Sequence, residues 1–180
     1  MGILTEDMKR VVSEQRLGYV ATVNPDGTPN LSPKGTTTLW DGDHLIFADI
    51  RSPGTVANLQ RNPAVEINVV DWFVRKGYRF KGTAQVLTEG PLYEEILTFY
   101  ERQGIFDAPR RIRSIVLIKV EQASALISPG YDRDVTEEQV RAQWEQYYWE
   151  ELRKERARVE GLGRRAEDSV ALIPSEQSRP

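Results

Sequence analysis

The hydrophobic pattern along the chain alternates between two repeats. Runs with every second residue apolar, or rich in β-branched residues, occur at Gly18 to Val23, His44 to Ile50, Ala64 to Val70, Tyr78 to Leu87 and Ser114 to Ile127. Each reads as a strand. Within His44 to Ile50, Leu45 and Phe47 fall on one face and Ile46 and Ala48 on the other. Ile115-Val116-Leu117-Ile118 is apolar on both faces, which predicts a central position in a sheet. The segment from Pro29 to Trp40 contains Pro29 and Pro33, so it is expected at an edge or irregular. Asn24-Pro25-Asp26-Gly27 and Asp41-Gly42-Asp43 are turns, and Arg75-Lys76-Gly77 reads as a third.

Helical spacing fills the intervals. Residues 5–15 have Thr5 as a cap, Glu6 and Asp7 at the positive end, and Met8, Val11 and Val12 on one face. A short helix follows Ser52 to about Asn62, with Val56 and Leu59 expected to face inward, and Pro63 stops it. Gly90-Pro91 opens a helix striped by Leu92, Ile96, Leu97, Phe99 and Tyr100, and Gly104 closes it. Thr136-Glu137-Glu138-Gln139 is a capping box for a last helix, residues 136–157, with Val140, Trp144, Tyr147, Tyr148 and Leu152 as its expected buried stripe.

The first three extended segments, at short spacing, predict an antiparallel meander. Strands dominate the middle, connections are short, and no βαβα rhythm appears. The pattern predicts a mainly β fold with peripheral α, a small antiparallel barrel. We expect one domain over residues 1–158 and a polar, loosely attached tail over 159–180.

Composition narrows the chemistry. The net charge of −3 lacks the basic excess of a general nucleic-acid binder. With no cysteine, disulfides, Cys-ligated zinc and iron–sulfur clusters are excluded, and the single His44 argues against a His-rich metal site or a His-based triad. No metal site is expected. No apolar run is long enough to span a membrane, and the first residues lack a signal-peptide pattern, so a cytoplasmic location is expected.

One stretch carries candidate chemistry: Phe47-Ala48-Asp49-Ile50-Arg51-Ser52-Pro53-Gly54-Thr55-Val56-Ala57-Asn58. It reads as a strand end, a polar turn and a helix start, with Pro53 at the first helical position. The free N–H groups of a first helical turn favour anions, and Arg51, Ser52 and Thr55 add a guanidinium and two hydroxyls beside them. The local motif leaves two readings open: a phosphate site, or Ser52 as a plain helix cap beside a solvated Arg51.

Four stretches together bear on that choice. They are Leu17-Gly18-Tyr19-Val20-Ala21-Thr22-Val23 with Asp26-Gly27-Thr28-Pro29, then Asn30-Leu31-Ser32-Pro33-Lys34, then Asp41-Gly42-Asp43-His44-Leu45-Ile46-Phe47, and Arg51 to Leu59 with Asn62-Pro63. In this order and spacing the chain, over roughly residues 5–127, resembles the FMN-binding split β-barrel family that includes pyridoxamine 5′-phosphate oxidase. The resemblance implies a split antiparallel barrel, a homodimer with FMN in the cleft between subunits, and a phosphate held by Arg51, Ser52 and Thr55, with Asn58 near that helix. Ser32, Pro33 and Lys34 would lie along the isoalloxazine, and Lys34 would reach its N1–O2 edge, where a cation stabilises the anionic reduced flavin. Lys34 is otherwise an exposed strand lysine. Lys81 either joins the phosphate site or is a solvated charge on the polar face of its strand.

The implied activity is that of an FMN-dependent oxidoreductase acting on a small molecule, with no nucleic-acid or membrane partner. Relatives that make pyridoxal phosphate hold substrate through C-terminal Arg and His residues, and haem-degrading relatives also tend to use a C-terminal His. The segment after Ser128 has no His, which argues against both. Two rivals remain. One is a flavin-binding protein or electron carrier without a dedicated substrate. The other is an enzyme using the deazaflavin F420, which a basic groove through Arg79 and Lys81 would favour. Arg110, Arg111 and Arg113 could receive an anionic substrate or form a solvated loop. The aromatic last helix, including Trp149, could pack on the barrel, form a dimer interface or cover the flavin.

Overall fold

The computed structural model describes residues 2–104 and 111–158. The chain divides into two units, Met1–Pro129 and Gly130–Pro180. The expected tail over 159–180, and Arg110 of the basic cluster, lie outside the described residues.

In the first unit helix α1 (Glu6–Gln15) is followed by strands β1 (Gly18–Val23), β2 (Pro29–Lys34), β3 (Thr38–Leu39) and β4 (His44–Asp49). Helix α2 (Pro53–Arg61), β5 (Ala64–Asp71), β6 (Lys76–Leu87), helix α3 (Pro91–Gln103) and β7 (Ser114–Ile127) complete it. The seven strands form one sheet in the order β2-β1-β5-β6-β7-β4-β3, with every pairing antiparallel. The sheet curls into a half-barrel with helices at its periphery, as the strand-rich pattern predicts. α1 is capped by the Thr5 hydroxyl, which accepts from Met8 N–H. The β1–β2 hairpin turns on Gly27, whose φ of 83° suits a residue without a Cβ. The two prolines of β2 sit on the sheet edge, where a missing N–H costs no ladder bond.

The expected meander is only half realised. β1 pairs with β2, but β4 lies on the far side of the sheet, between β3 and β7. Both faces of β4 are apolar: Leu45 and Phe47 join one core cluster, and Ile46 and Ala48 the other. Such a strand needs covered neighbours on both sides, which the proline edge of β2 cannot give and the apolar middle of β7 can. The chain turns out of β2 at once, with Thr37 N–H and its hydroxyl both bonded to the Lys34 carbonyl. The third expected turn also moves. It spans Trp72 to Arg75, held by Asp71 Oδ1 accepting from Phe73 and Val74 N–H, and Lys76 already belongs to β6.

The first cluster, with Val12, Val20, Ile67, Val69 and Phe80, fills the inside of the curl. The second, with Ile96, Tyr100, Ile112 and Ile115, seats α3 on the other face of β4 and β7. Tyr100 is buried there, and its hydroxyl donates to the Thr36 carbonyl at 2.9 Å. β6 and β7 slip register at Lys81/Gly82, where a Cβ on Gly82 would meet the Lys119 carbonyl oxygen at 1.9 Å. The inward face of α2 differs from expectation. Thr55, Asn58 and Leu59 are buried, while Val56 is only half-buried.

A 3-10 turn (Pro129–Arg133) begins at the last residue of the first unit, and the second unit holds helix α4 (Glu137–Gln146), started by the expected capping box of Thr136 and Gln139. A π-helical turn, Tyr147–Glu151, interrupts the helix before it resumes. Four residues of the predicted stripe, Val140, Trp144, Tyr148 and Leu152, are the less exposed ones, and Tyr147, in the π-turn, falls outside it. Val140 is buried, Trp144, Tyr148 and Leu152 are half-buried, and Tyr147 and Trp149 are 44% and 69% exposed.

Candidate functional site

The end of β2 and the turn from β4 into α2 enclose a cavity of about 430 Å³, lined by Ser32, Pro33, Lys34, Gly35, Thr36, Ala48, Ile50, Arg51 and Ser52. Lys34 is its defining side chain. Alternation along β2 puts Asn30, Ser32 and Lys34 on one side, and the lysine is only 5% exposed. Its Nζ donates to Ser32 Oγ at 2.5 Å and to Ser52 Oγ at 2.7 Å, and lies 5.8 Å from the centre of the Phe47 ring. An ammonium carries three donors, so two hydroxyls leave one more for a ligand. Burial pushes the Lys34 ammonium below the usual lysine range, and the negative charge of Asp49 works against that shift.

Ser52 stands at the N-cap of α2 but does not cap it. Its hydroxyl is taken by Lys34, and its N–H donates to Asp49 Oδ1 at 2.7 Å. Its carbonyl accepts the first helical bond, from Val56 N–H. The first turn of α2 therefore has no side-chain cap, and Pro53 contributes no N–H. The expectation of Ser52 as a plain cap is replaced by a hydroxyl shared with a buried cation. Arg51 is exposed at the same wall.

Of the residues singled out by sequence, the fold brings Ser32, Pro33, Lys34, Arg51 and Ser52 to this cavity. Thr55 and Asn58 do not line it. Both are buried against the β1–β2 hairpin: Asn30 Nδ2 reaches Thr55 Oγ1 at 3.4 Å, and Asn58 Nδ2 donates to Thr22 Oγ1 at 3.1 Å and Asn24 Oδ1 at 2.9 Å. They pin α2 to the sheet. Lys81 lines a different cavity and pairs with Glu66 at 3.3 Å, beside an Arg79–Glu66 contact of 2.9 Å. Lys34 is not the exposed strand lysine that the pattern also allowed. Arg111 and Arg113 are exposed, and the Arg113 N–H donates to the Asp49 carbonyl at 2.9 Å.

Asp49 was not singled out by sequence. It is 4% exposed at the end of β4, opposite Ser114 of β7. A carboxylate closing a strand buried on both faces was the available signal, since an acid there requires a partner. Among the described residues no group of acids and histidine could hold a metal, and no helix is long and apolar enough to cross a membrane.

Comparison with known proteins bears on the family and the fold. Nothing among curated proteins matches the chain. The solved structure of HupZ from Group A Streptococcus shares 35% identity over 70% of this chain and 96% of that one, with a TM-score of 0.62. An FMN-binding protein from Syntrophomonas wolfei shares 15% identity over 68% of this chain and 85% of its own, with a TM-score of 0.56. An F420 reductase shares 23% over 67% and 98%, with a TM-score of 0.52. The last two are likenesses of fold. The profile of the pyridoxamine 5′-phosphate oxidase family matches residues 4–126, and the chain belongs to that family.

Proposed function

We propose that the chain is an FMN-dependent oxidoreductase acting on a small molecule. The observation that carries this reading is the buried Lys34 ammonium, held by two hydroxyls at a cavity wall that also carries Arg51 and the uncapped start of α2. Two cations and a helix N-terminus converge there, with no acidic side chain among the lining residues, which suits a dianionic phosphate and an electron-rich ring. FMN, when bound, supplies the hydride and electron transfer. The protein's share is binding and electrostatics. Arg51 and Ser52 hold the phosphate, Ser32 and Pro33 border the ring, and Lys34 offers its remaining donor and its charge. Thr55 and Asn58 act one step back, by fixing α2.

Among the described residues, Lys34 and Arg51 are the titratable side chains lining the cavity. No acid–base pair is present there, so a flavin carrier without a dedicated substrate is the second reading this site supports. The extended basic groove that would favour F420 finds no support within the chain, because Arg79 and Lys81 are both tied to Glu66 in the other cavity.

A homodimer belongs to the same proposal. The outward face of β1 and β2 exposes Val23 and Leu31, the latter 65% exposed, beside a Tyr19–Trp72 edge contact. Light scattering of the flavin-loaded protein should report two copies.

The testing experiment is an absorbance and calorimetric titration of the purified full chain with FMN, then F420. Saturable FMN binding with oxidation of reduced nicotinamide supports the enzyme. Binding without turnover across a broad substrate panel supports the carrier. Failure to bind FMN overturns the proposal.

A further inference from the structure

The interior beneath the cavity holds one acid that the proposed function does not use. Asp49 ends a strand whose other inward residues, Leu45 and Phe47, are core, yet its carboxylate is nearly without solvent. Desolvating a carboxylate costs several kcal/mol unless partners offset it. The partners are specific. Oδ1 accepts from the Ser52 N–H at 2.7 Å, and the charge of Asp49 is felt by Lys34 across the same turn. The Ser114 hydroxyl, buried and without a hydrogen-bond partner, belongs to the residue directly opposite Asp49 in the β4–β7 ladder.

These bonds form a relay. The carboxylate fixes the Ser52 backbone at φ −131° and ψ 46°, and the hydroxyl of that residue then meets Lys34 Nζ and not the N–H groups of its own helix. The carboxylate thereby faces the protein side of the turn, and the ammonium faces the cavity. An acid in direct contact with the ligand would repel a phosphate. An acid one residue behind the cation supports that cation and leaves the ligand wall positive.

We propose that Asp49 is a positioning residue of this cavity, holding Lys34 charged and Ser52 turned toward it, so that anionic ligand affinity persists into alkaline pH. The inference rests on the proposed FMN site for its ligand, but not for its mechanism, which concerns the chain alone. The groups facing Lys34 are few. β4 contributes Asp49, the β4–α2 turn contributes Arg51, β1 presents Gly18 opposite it, and the nearby α2 face presents uncharged Thr55 and Asn58. Burial already lowers the Lys34 pKa, and the charge of Asp49 opposes that shift. Without Asp49, Lys34 loses its proton at a lower pH. Anion affinity then falls earlier as pH rises, whereas below that pH the ammonium is present in either protein.

The test uses the full chain carrying Asp49→Asn, with two readouts. In the ligand-free protein, the Lys34 Cε chemical shift is followed against pH. The Lys34 midpoint should move to lower pH, because the charge opposing the effect of burial is gone. FMN affinity is then measured across the same range. It should begin to fall at a lower pH than in the parent, and stay within about threefold of the parent below both midpoints. An unmoved Lys34 midpoint overturns the proposal whether or not FMN binds. A shifted midpoint in a chain that never binds FMN keeps the relay and removes the flavin reading. Asp49→Ser, which retains an acceptor for the Ser52 N–H without the charge, serves if Asp49→Asn does not fold. Loss of fold in both variants overturns the proposal by assigning Asp49 to the fold.

Discussion

Two cavities of similar size, each about 430 Å³, are lined by different strands of this sheet, and they differ in how their lysines are paired. The second is lined by Ala21, Val23, Pro29 and Ala64 with Glu66, Lys81 and Glu121. Both hold a lysine. Lys34 is buried, meets only hydroxyls and keeps its nearest acid behind it. Lys81 is half in solvent and shares Glu66 with Arg79, while Glu121 accepts from the Thr83 hydroxyl at 2.7 Å. Size and the presence of a cation are common to both. What separates them is whether that cation is already neutralised, and a neutralised cation has little left for a ligand.

The comparison breaks most directly at Arg51. Arg51→Ala removes a charge-assisted contact to phosphate, which contributes about 1.5–3 kcal/mol, so FMN affinity should fall by roughly 10- to 150-fold with the fold intact by circular dichroism. Calorimetry of parent and variant checks it, and equal affinities would remove the phosphate from this cavity.

Asn58→Ala separates support from contact. Asn58 donates to Thr22, which lines the second cavity, and to Asn24, while its helix starts at the first. Its removal takes away two hydrogen bonds that hold α2 to the β1–β2 hairpin, at a cost of about 1–3 kcal/mol of stability. Urea denaturation should show a lower midpoint, and saturating FMN should recover part of the loss. A variant of parental stability that binds FMN poorly would place Asn58 at the ligand.

Glu66→Gln tests neutralisation itself. With the carboxylate gone, Arg79 and Lys81 lose their shared partner and the second cavity becomes cationic. Inorganic phosphate should then find a weak site that the parent lacks, measurable as a second phase in a titration followed by phosphorus NMR. No new site would mean that shape outweighs charge in this comparison.

The two regions were not equally legible in the sequence. Strands β1, β4, β6 and β7 announce themselves through alternation and through apolar residues on both faces, and the α1 and α4 caps through Thr5 and Thr136. Arg51, Ser52, Ser32 and Lys34 were found because a strand-turn-helix motif and the resemblance point to the same turn. Their burial was not legible. Whether a lysine at a strand end is solvated or buried depends on which distant segment folds over it, and Ser52 stands 18 residues away. The meander failed for the same reason, because pairing partners are chosen by the coverage of both faces and not by sequence order. Thr55 reads as a phosphate contact because its hydroxyl stands in the first turn of α2, and Asn58 as a residue packed or bonded near that helix. Only the hairpin packed against that helix shows that their side chains point to Asn30 and Thr22. In the last helix the expected stripe loses only Tyr147, at a π-turn that no periodicity count anticipates.

The smallest expected effect is the most discriminating. Lys81 Nζ lies 3.3 Å from Glu66, its side chain is 54% exposed, and Arg79 remains to pair with Glu66 when the lysine is gone. An exposed pair of this kind contributes about 0.2–1 kcal/mol, so Lys81→Ala should barely move the unfolding midpoint and leave FMN affinity within about twofold of the parent. That outcome assigns FMN binding to the Lys34 cavity of one chain. A tenfold loss of affinity without loss of stability would mean that the lysine reaches the phosphate from a second copy. The two cavities would then be halves of one shared cleft, and the same affinity measured on a dilution series spanning the dimer dissociation would fall with protein concentration.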